Sequence, residues 1–342
     1  MVRLIGAFVI ALMVGACSGA TPATTAPTTA PSVAPTTAPT EAASESAAPA
    51  SPSASADASA CVTVTHALGD SCIPADPQRV VTLGCQTSLE YALALGLPVV
   101  GYDVAPWEPL VPPYLEDEVP ADAAQLGGCF APDLEAVKAA DPDLIVYTFD
   151  NGNYPQVSEI APTVVLQAGY ADWRDDFLGA AELLGRTEEA NAHLADLDTR
   201  IAALAAELEP VLGGKTVSAF QTATEGKASF FGSESYIGAL LTDLGLTLPP
   251  DQVGSSYGDV SLEQIGLLDG DAAFAVFGYT DPALAEDVDA TKQQFLDSPL
   301  WQTLKFVQND AIYEADKATW GVHGIYWVDG MLDDIRAKVL GS

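Results

Sequence analysis

The sequence predicts an α/β protein of two lobes, each a mainly parallel sheet flanked by helices, joined by one long crossing helix. Three observations carry this. Short apolar runs alternate with helical patterns over 79–167 and again from 216 onward, the signature of sheets covered on both faces. Between them, 173–208 holds a helical pattern broken at Gly185-Arg186 alone. Finally, PDLEAVKAADPDLIVY (132–147) is written again as VSLEQIGLLDGDAAFA (260–275). Leu134, Glu135, Val137, Asp141 and Asp143 match Leu262, Glu263, Ile265, Asp269 and Asp271 at one offset.

The chain begins MVRLIGAFVIALMVGAC, with basic Arg3, an apolar stretch from Leu4 to Val14, and small residues before Cys17. That stretch is too short to span a bilayer and reads as a secretory signal over 1–16. Val14-Gly15-Ala16-Cys17 resembles a bacterial lipobox, which makes Cys17 the acylated mature N-terminus. Beyond it, to residue 60, the chain is almost wholly Ala, Thr, Pro and Ser, with Glu41, Glu45 and Asp57 as its charges. Such a segment cannot bury enough apolar surface to offset its ordering entropy, and as a flexible tether it spans roughly 35 Å. Four cysteines follow, and an even count in an exported chain points to disulfides. Cys61 and Cys72 flank VTVTHALGDS, a hairpin pattern turning at Leu68-Gly69-Asp70, and pair with each other; Cys85 and Cys129 remain. A four-thiolate zinc site is the alternative, without Cys-x-x-Cys spacing to support it.

In the first lobe (61–172), RVVTLG (79–84), PVVGYD (98–103), DLIVYTF (143–149) and TVVLQ (163–167) read as strands. SLEYALALG (88–96) and Asp133 to Ala140 read as helices. Leu194, Leu197, Ile201, Leu204 and Leu208 recur at helical spacing along the interlobe helix, 173–210. In the second lobe (211–342), TVSAFQT (216–222), AAFAVFGY (272–279) and AIYEAD (311–316) read as strands. YIGALLTDLG (236–245), a stretch near 284–305 and the segment ending at Val339 read as helices. Each copy of the repeated unit opens on a capping residue, Asp133 or Ser261, the latter with Gln264 as a capping box. Leu134/Val137 and Leu262/Ile265 face inward, which leaves Glu135 and Glu263 exposed in the first turn.

With 47 acids against 13 bases the net charge is −34, which excludes nucleic acid and anionic membrane surface as direct partners. No GxGxxG or P-loop pattern is present, so no nucleotide is expected in this chain.

Five stretches together resemble the substrate-binding lipoproteins of iron–siderophore and cobalamin importers of the ATP-binding-cassette type. They are VTHALGDSCIPADPQRVVTLG (64–84), LEYALALGLPVVGY (89–102), PDLEAVKAADPDLIVY, VSLEQIGLLDGDAAFAVF (260–277) and SPLWQTLKFVQNDAIYEAD (298–316). The resemblance covers 61–342 and is nearest the iron–siderophore branch. It implies a monomeric receptor with a ligand cleft between lobes that hinge little. It also implies that Glu135 and Glu263 dock to arginines of a membrane permease whose ATPase is a separate subunit. Cys85 and Cys129 stand outside the general family pattern; bonded, they would tie two loops of the first lobe beside the ligand.

Ligands of open α/β sheets bind beyond the strand C-termini. Read that way, the first lobe offers Gln86, Tyr102, Trp107, Phe149, Asp150 and Asn151. The second offers Gln221, Phe230, Phe231, Tyr236, Tyr257, Tyr279 and the loop from Trp320 to His323, with Trp173 and Arg174 opening the crossing helix. An aromatic cleft with few charges suits a large, partly apolar chelate. Arg174 and Lys227 are the bases near these ends, which favours a ferric hydroxamate or mixed-ligand siderophore over a tri-anionic catecholate. His66, His193 and His323 are not placed to share a metal, and no resident cofactor is expected. Haem or cobalamin as cargo is the alternative. Gly254-Ser255-Ser256-Tyr257-Gly258 matches G-x-S-x-G, a remote serine-hydrolase reading through Ser256, but no strand precedes it and no helix directly follows.

Overall fold

The computed structural model describes residues 61–106, 110–167, 172–278, 282–321 and 324–341. Cys17, the tether, Trp107, Tyr279 and His323 lie outside the described residues.

The first described elements are the hairpin strands β1 (Cys61–His66) and β2 (Gly69–Pro74). They turn through Ala67-Leu68, with His66 opposite Gly69. The Cys61–Cys72 disulfide crosses them, Cα to Cα 5.4 Å. The first large sheet follows: β3 (Val80–Leu83), α1 (Gln86–Ala94), β4 (Val99–Val104), β5 (Ala124–Gly128), β6 (Ala131–Pro132), α2 (Leu134–Ala139), β7 (Leu144–Tyr147), α3 (Tyr154–Val157) and β8 (Thr163–Val165). Its strand order is β6-β5-β4-β3-β7-β8. Every pairing is parallel except β5–β6 at the edge. Those two strands were not predicted: AQLGG and AP carry little β-branched content, and backbone pairing, of β5 with β4 and of β6 with β5, makes them strands.

The helical stretch is two helices, α4 (Trp173–Leu184) and α5 (Thr187–Leu212), packed on each other. Gly185 ends α4 in the left-handed conformation, φ 67°, where a side chain is strained. The crossing helix is therefore α5, 26 residues or about 39 Å long. Its buried stripe is the predicted one, Leu194 to Leu208.

The second sheet comprises β9 (Val217–Thr222), β10 (Lys227–Phe231), α6 (Tyr236–Asp243), β11 (Tyr257–Ser261), a 3-10 turn (Leu262–Leu268), β12 (Ala272–Val276), α7 (Ala285–Leu296), α8 (Lys305–Gln308), β13 (Ile312–Glu314), α9 (Lys317–Trp320) and α10 (Tyr326–Leu340). The order is β11-β10-β9-β12-β13. It is parallel from β9 to β13 and antiparallel from β9 to β11.

The aspartates of the repeated unit have a structural role. Asp143, just ahead of β7, accepts from the N–H groups of Gln78 (2.7 Å) and Arg79 (3.0 Å), just ahead of β3. Asp271, just ahead of β12, accepts from Thr216 N (2.9 Å) and Thr216 Oγ1 (3.0 Å), just ahead of β9. In both sheets the acid pins the starts of two adjacent parallel strands. Asp143→Ala or Asp271→Ala is expected to cost about 1–2 kcal/mol, read as a lower urea midpoint with ligand binding retained.

One apolar core runs from α1 and the inner face of the first sheet, through α4, α5 and α10, to α6 and the inner face of the second. Separate clusters fill the outer faces. Because the inner core is shared through α5, opening the lobes widely would expose it to water. Small hinge motion follows from packing.

Candidate functional site

Beyond β3 the chain turns through Gly84-Cys85 into α1. Gly84 has φ 91°, and a Cβ there would overlap the Thr148 carbonyl, so only glycine fits. Cys85 is also left-handed, φ 68°. The turn is held from below: Asp103 of β4 accepts from Gly84 N (2.6 Å) and Cys85 N (3.0 Å), and Thr148 Oγ1 donates to Gly84 O (2.6 Å). Asp103 is buried, and burial pushes its carboxyl up to about 7 against the pull of those two N–H donors. The Cys85–Cys129 disulfide, Cα to Cα 4.8 Å, ties this turn to the end of β5. Phe130 beside it is 54% exposed, a large aromatic at the rim. Gln86 opens α1, buried, with its Nε2 unpartnered. After β7, Phe149 is left-handed at φ 49° and half-buried, and Asn151 is exposed. Asp150 accepts from the N–H groups of Gly152, Asn153 and Tyr154 (3.1, 2.9 and 2.9 Å), so it shapes its own turn.

At the matching end of the second sheet, β9 finishes at Gln221-Thr222 and β12 runs into Phe277-Gly278, whose Gly278 N–H donates to Thr222 Oγ1 (3.3 Å). Lys292 of α7 sets its Nζ 4.5 Å from the Phe277 ring centre and 3.7 Å from Glu314. The Lys317 stem lies against Gly278. Lys227 stands 3.9 Å from Glu225.

These two ends are brought together. Glu90 of α1, one helical turn after Gln86, accepts from Tyr114 Oη (3.0 Å) and from Trp327 N (3.0 Å) at the start of α10. The segment after β3 of one sheet thereby meets the segment after β13 of the other.

Of the predicted ligand residues, Gln86, Phe149, Asn151 and Gln221 lie at these strand ends. Others do not. Because β10 runs antiparallel to β9, its C-terminus points to the opposite end of the sheet. That takes Phe230 and Phe231 into buried packing, and Tyr257, paired with Phe231, to the far end. Tyr236 is fully buried with its hydroxyl on Asp176. Tyr102 is buried and accepts from Gln125 Nε2 (3.4 Å). Trp173 is core; Arg174 lies over its ring and pairs with Asp198 and Asp243, bracing α4 to α5 and α6. Trp320 stacks on Phe274 (5.1 Å between centres) and donates to Asp334 Oδ2 (2.8 Å). Ser256 lies ahead of β11 and not between a strand and a helix, so no nucleophile elbow forms. Among the described residues, no group of three or more His, Cys, Asp or Glu could hold a metal, and no helix is long and apolar enough to cross a membrane.

Sequence reading missed Asp103, Glu90, Phe130, Phe277, Lys292 and Lys317 at this site. An acid inside PVVGYD and another inside the apolar helix SLEYALALG were the available signals for the first two, since buried carboxylates persist only where something answers them.

Glu135 and Glu263 are both exposed in the first turn after their caps. Asp133 Oδ1 accepts from Glu135 N (3.0 Å) and Ala136 N (3.1 Å). The second unit is a 3-10 turn, with the predicted capping box at Ser261 and Gln264. The Glu263 carboxyl is held below its usual range by its own backbone N–H and by the Ser261 hydroxyl (2.9 Å).

Residues 80–319 match the family model described as periplasmic binding protein. The chain belongs to this family. Relatives of this periplasmic binding protein include the probable siderophore-binding lipoprotein YfiY of Bacillus subtilis, 30% identical over 302 residues, covering 81% of this chain and 87% of that one. The Fe(3+)-citrate-binding protein YfmC of the same organism is 29% identical over 283 residues, covering 79% and 84%. Among solved structures, Staphylococcus aureus SirA complexed with staphyloferrin B superposes with a TM-score of 0.69 at 26% identity, covering 82% of this chain and 98% of that one.

Proposed function

We propose that the protein is an extracytoplasmic receptor, lipid-anchored at Cys17, that captures a ferric siderophore between its lobes and delivers it to an ABC import permease. The observation that carries this is the contact through Glu90 between α1, which follows β3 of the first sheet, and the start of α10, which follows β13 of the second, in a chain of this family. A site of that form sequesters a ligand, and the relatives are binding proteins; the protein acts as a binding protein and not as an enzyme. The signal peptide takes 1–16 and the tether 17–60. The first lobe is 61–172, the crossing 173–210 and the second lobe 211–342. The receptor works as a monomer, held to the membrane through its lipid alone, with iron as cargo and no cofactor of its own.

The charge at the strand ends bears on the cargo. Lys227 and Lys292 are each answered by a glutamate and Arg174 by two aspartates away from these ends, which leaves Lys317 beside Gly278 as the cation without an ion pair there among the described residues. A tri-anionic catecholate would find little uncompensated positive charge there, so a hydroxamate or mixed-ligand complex near neutrality fits better. Phe130, Phe149 and Phe277 supply apolar contact. The test is a fluorescence titration with ferric hydroxamates, ferric carboxylates, ferric catecholates, haem and cobalamin. Saturable sub-micromolar quenching by a ferric hydroxamate or mixed chelate is the expected result. Binding of haem or cobalamin alone would move the cargo, and silence across the panel would overturn the reading.

A further inference from the structure

Glu90 does more than satisfy a buried helix. Helix α10 has Ile325 at its N-cap position, which supplies no side-chain cap, yet its first turn carries N–H groups that need acceptors. The acceptor comes from the other lobe, as the Glu90 carboxylate bonded to Trp327 N. Two glycines make room for this contact. A Cβ at Gly324 would overlap the Glu90 carboxylate, and one at Gly330 would lie 2.7 Å from the Tyr114 ring, the residue that donates to Glu90. Glu90 is fully buried, so water does not substitute for these donors while the contact is closed.

We propose that Glu90 is a positioning residue for cargo: it caps α10 across the lobes, holds Gly324 and the first turn of α10 against α1, and so sets the resting width of the cleft. This rests on the cleft being the cargo site. It makes the clamp sensitive to protonation. The groups facing Glu90 are Tyr114 from the 3-10 turn after Pro112, Tyr91 beside it on α1, and Tyr326 and Asp329 on α10. Asp329 is itself paired with Arg200 of α5, and the Tyr326 hydroxyl donates to Glu118 (3.3 Å) with the His193 ring 5.4 Å away. Burial, the largest influence, pushes Glu90 up to about 7. In an opened clamp the carboxyl meets water and returns toward its ordinary value. Between the two values the open form sheds a proton that the closed form keeps, so rising pH loosens the clamp up to about 7 and has no further effect above it.

The experiment compares the wild-type protein with Glu90→Gln, which keeps shape but cannot ionise, and with Tyr114→Phe, which removes one donor. Amide exchange over 324–332 is measured without cargo at pH 5.5 and 7.5, corrected for intrinsic rates. The wild type is expected to lose about tenfold protection across that interval, Glu90→Gln to show none of that dependence, and Tyr114→Phe to keep it with lower protection throughout. The affinity for ferric desferrioxamine is then measured at both pH values, where the wild-type-to-Glu90→Gln ratio cancels the chelate's own titration. That ratio is expected to change at least threefold. Exchange independent of pH in the wild type, or an unchanged affinity ratio, would overturn the proposal. If the wild type bound no ferric chelate while the exchange pattern held, the cargo reading would fall and the interlobe clamp would stand.

Discussion

Replacing Glu135 and Glu263 together by alanine is expected to reduce delivery of cargo to the permease about 100-fold while leaving cargo affinity within twofold. Both carboxylates are exposed, in the first turn after their caps, at the strand-end face of each sheet. Neither enters the core, so truncation removes charge without disturbing packing. The two sit at equivalent places in a repeated unit, one on each lobe, which is what the proposed docking to a permease calls for. Removing one charge from the rim of a docking surface acts mainly on the rate and salt dependence of association, and each single variant should lose about tenfold. Uptake of iron-labelled cargo into proteoliposomes holding the permease, beside an equilibrium titration of each variant, separates docking from capture. Unchanged uptake by the double variant would refute the docking role.

The second large effect is on stability. Acidification from pH 8 to pH 5 is expected to stabilise the protein by at least about 3 kcal/mol. Burial pushes Glu90 and Asp103 up to about 7 and Asp329 up to about 6. For such acids the unfolded chain loses its proton first. Stability is therefore full below the ordinary carboxylate range, falls as pH rises toward 6–7, and is flat above. The net charge of −34 acts in the same direction, since partial protonation relieves self-repulsion. His66 and His193 oppose it, because burial lowers both and the unfolded chain binds their protons first below about 6.5. The carboxyls carry the larger displacement. Thermal melts at pH 5 and 8 should differ by several degrees, and Glu90→Gln should shrink the difference. A melt that rises with pH would contradict this assignment of buried acids.

How much of this was legible in the sequence depended on the type of interaction. The parallel strands around β3 and β9 and the apolar stripe of α5 were plain, because periodicity records burial directly. The Cys61–Cys72 pairing was plain from its hairpin, whereas the bond between Cys85 and Cys129 needed the approach of the β3 and β5 ends that only the fold shows. The repeat was visible but its parts were not separable. Only the hydrogen bonds show that Asp143 and Asp271 pin neighbouring strands while Glu135 and Glu263 stay at the surface. The ligand residues were least legible. Assigning them required strand direction, and nothing in KASFF marks β10 as antiparallel, so Phe231, Tyr236 and Tyr257 were placed at the wrong end. Glu90 was invisible as a cap because its partner lies 237 residues away.

In the proposed complex a ferric chelate sits between the strand C-termini of the two lobes. Amide exchange with and without a saturating ferric chelate tests it most directly. New protection is expected at Gly84–Gln86, Thr148–Asn151, Gln221–Thr222 and Phe277–Gly278, on both sheets at once. Saturable binding that instead protects the far end around Phe231 and Tyr257, or one sheet alone, would contradict it.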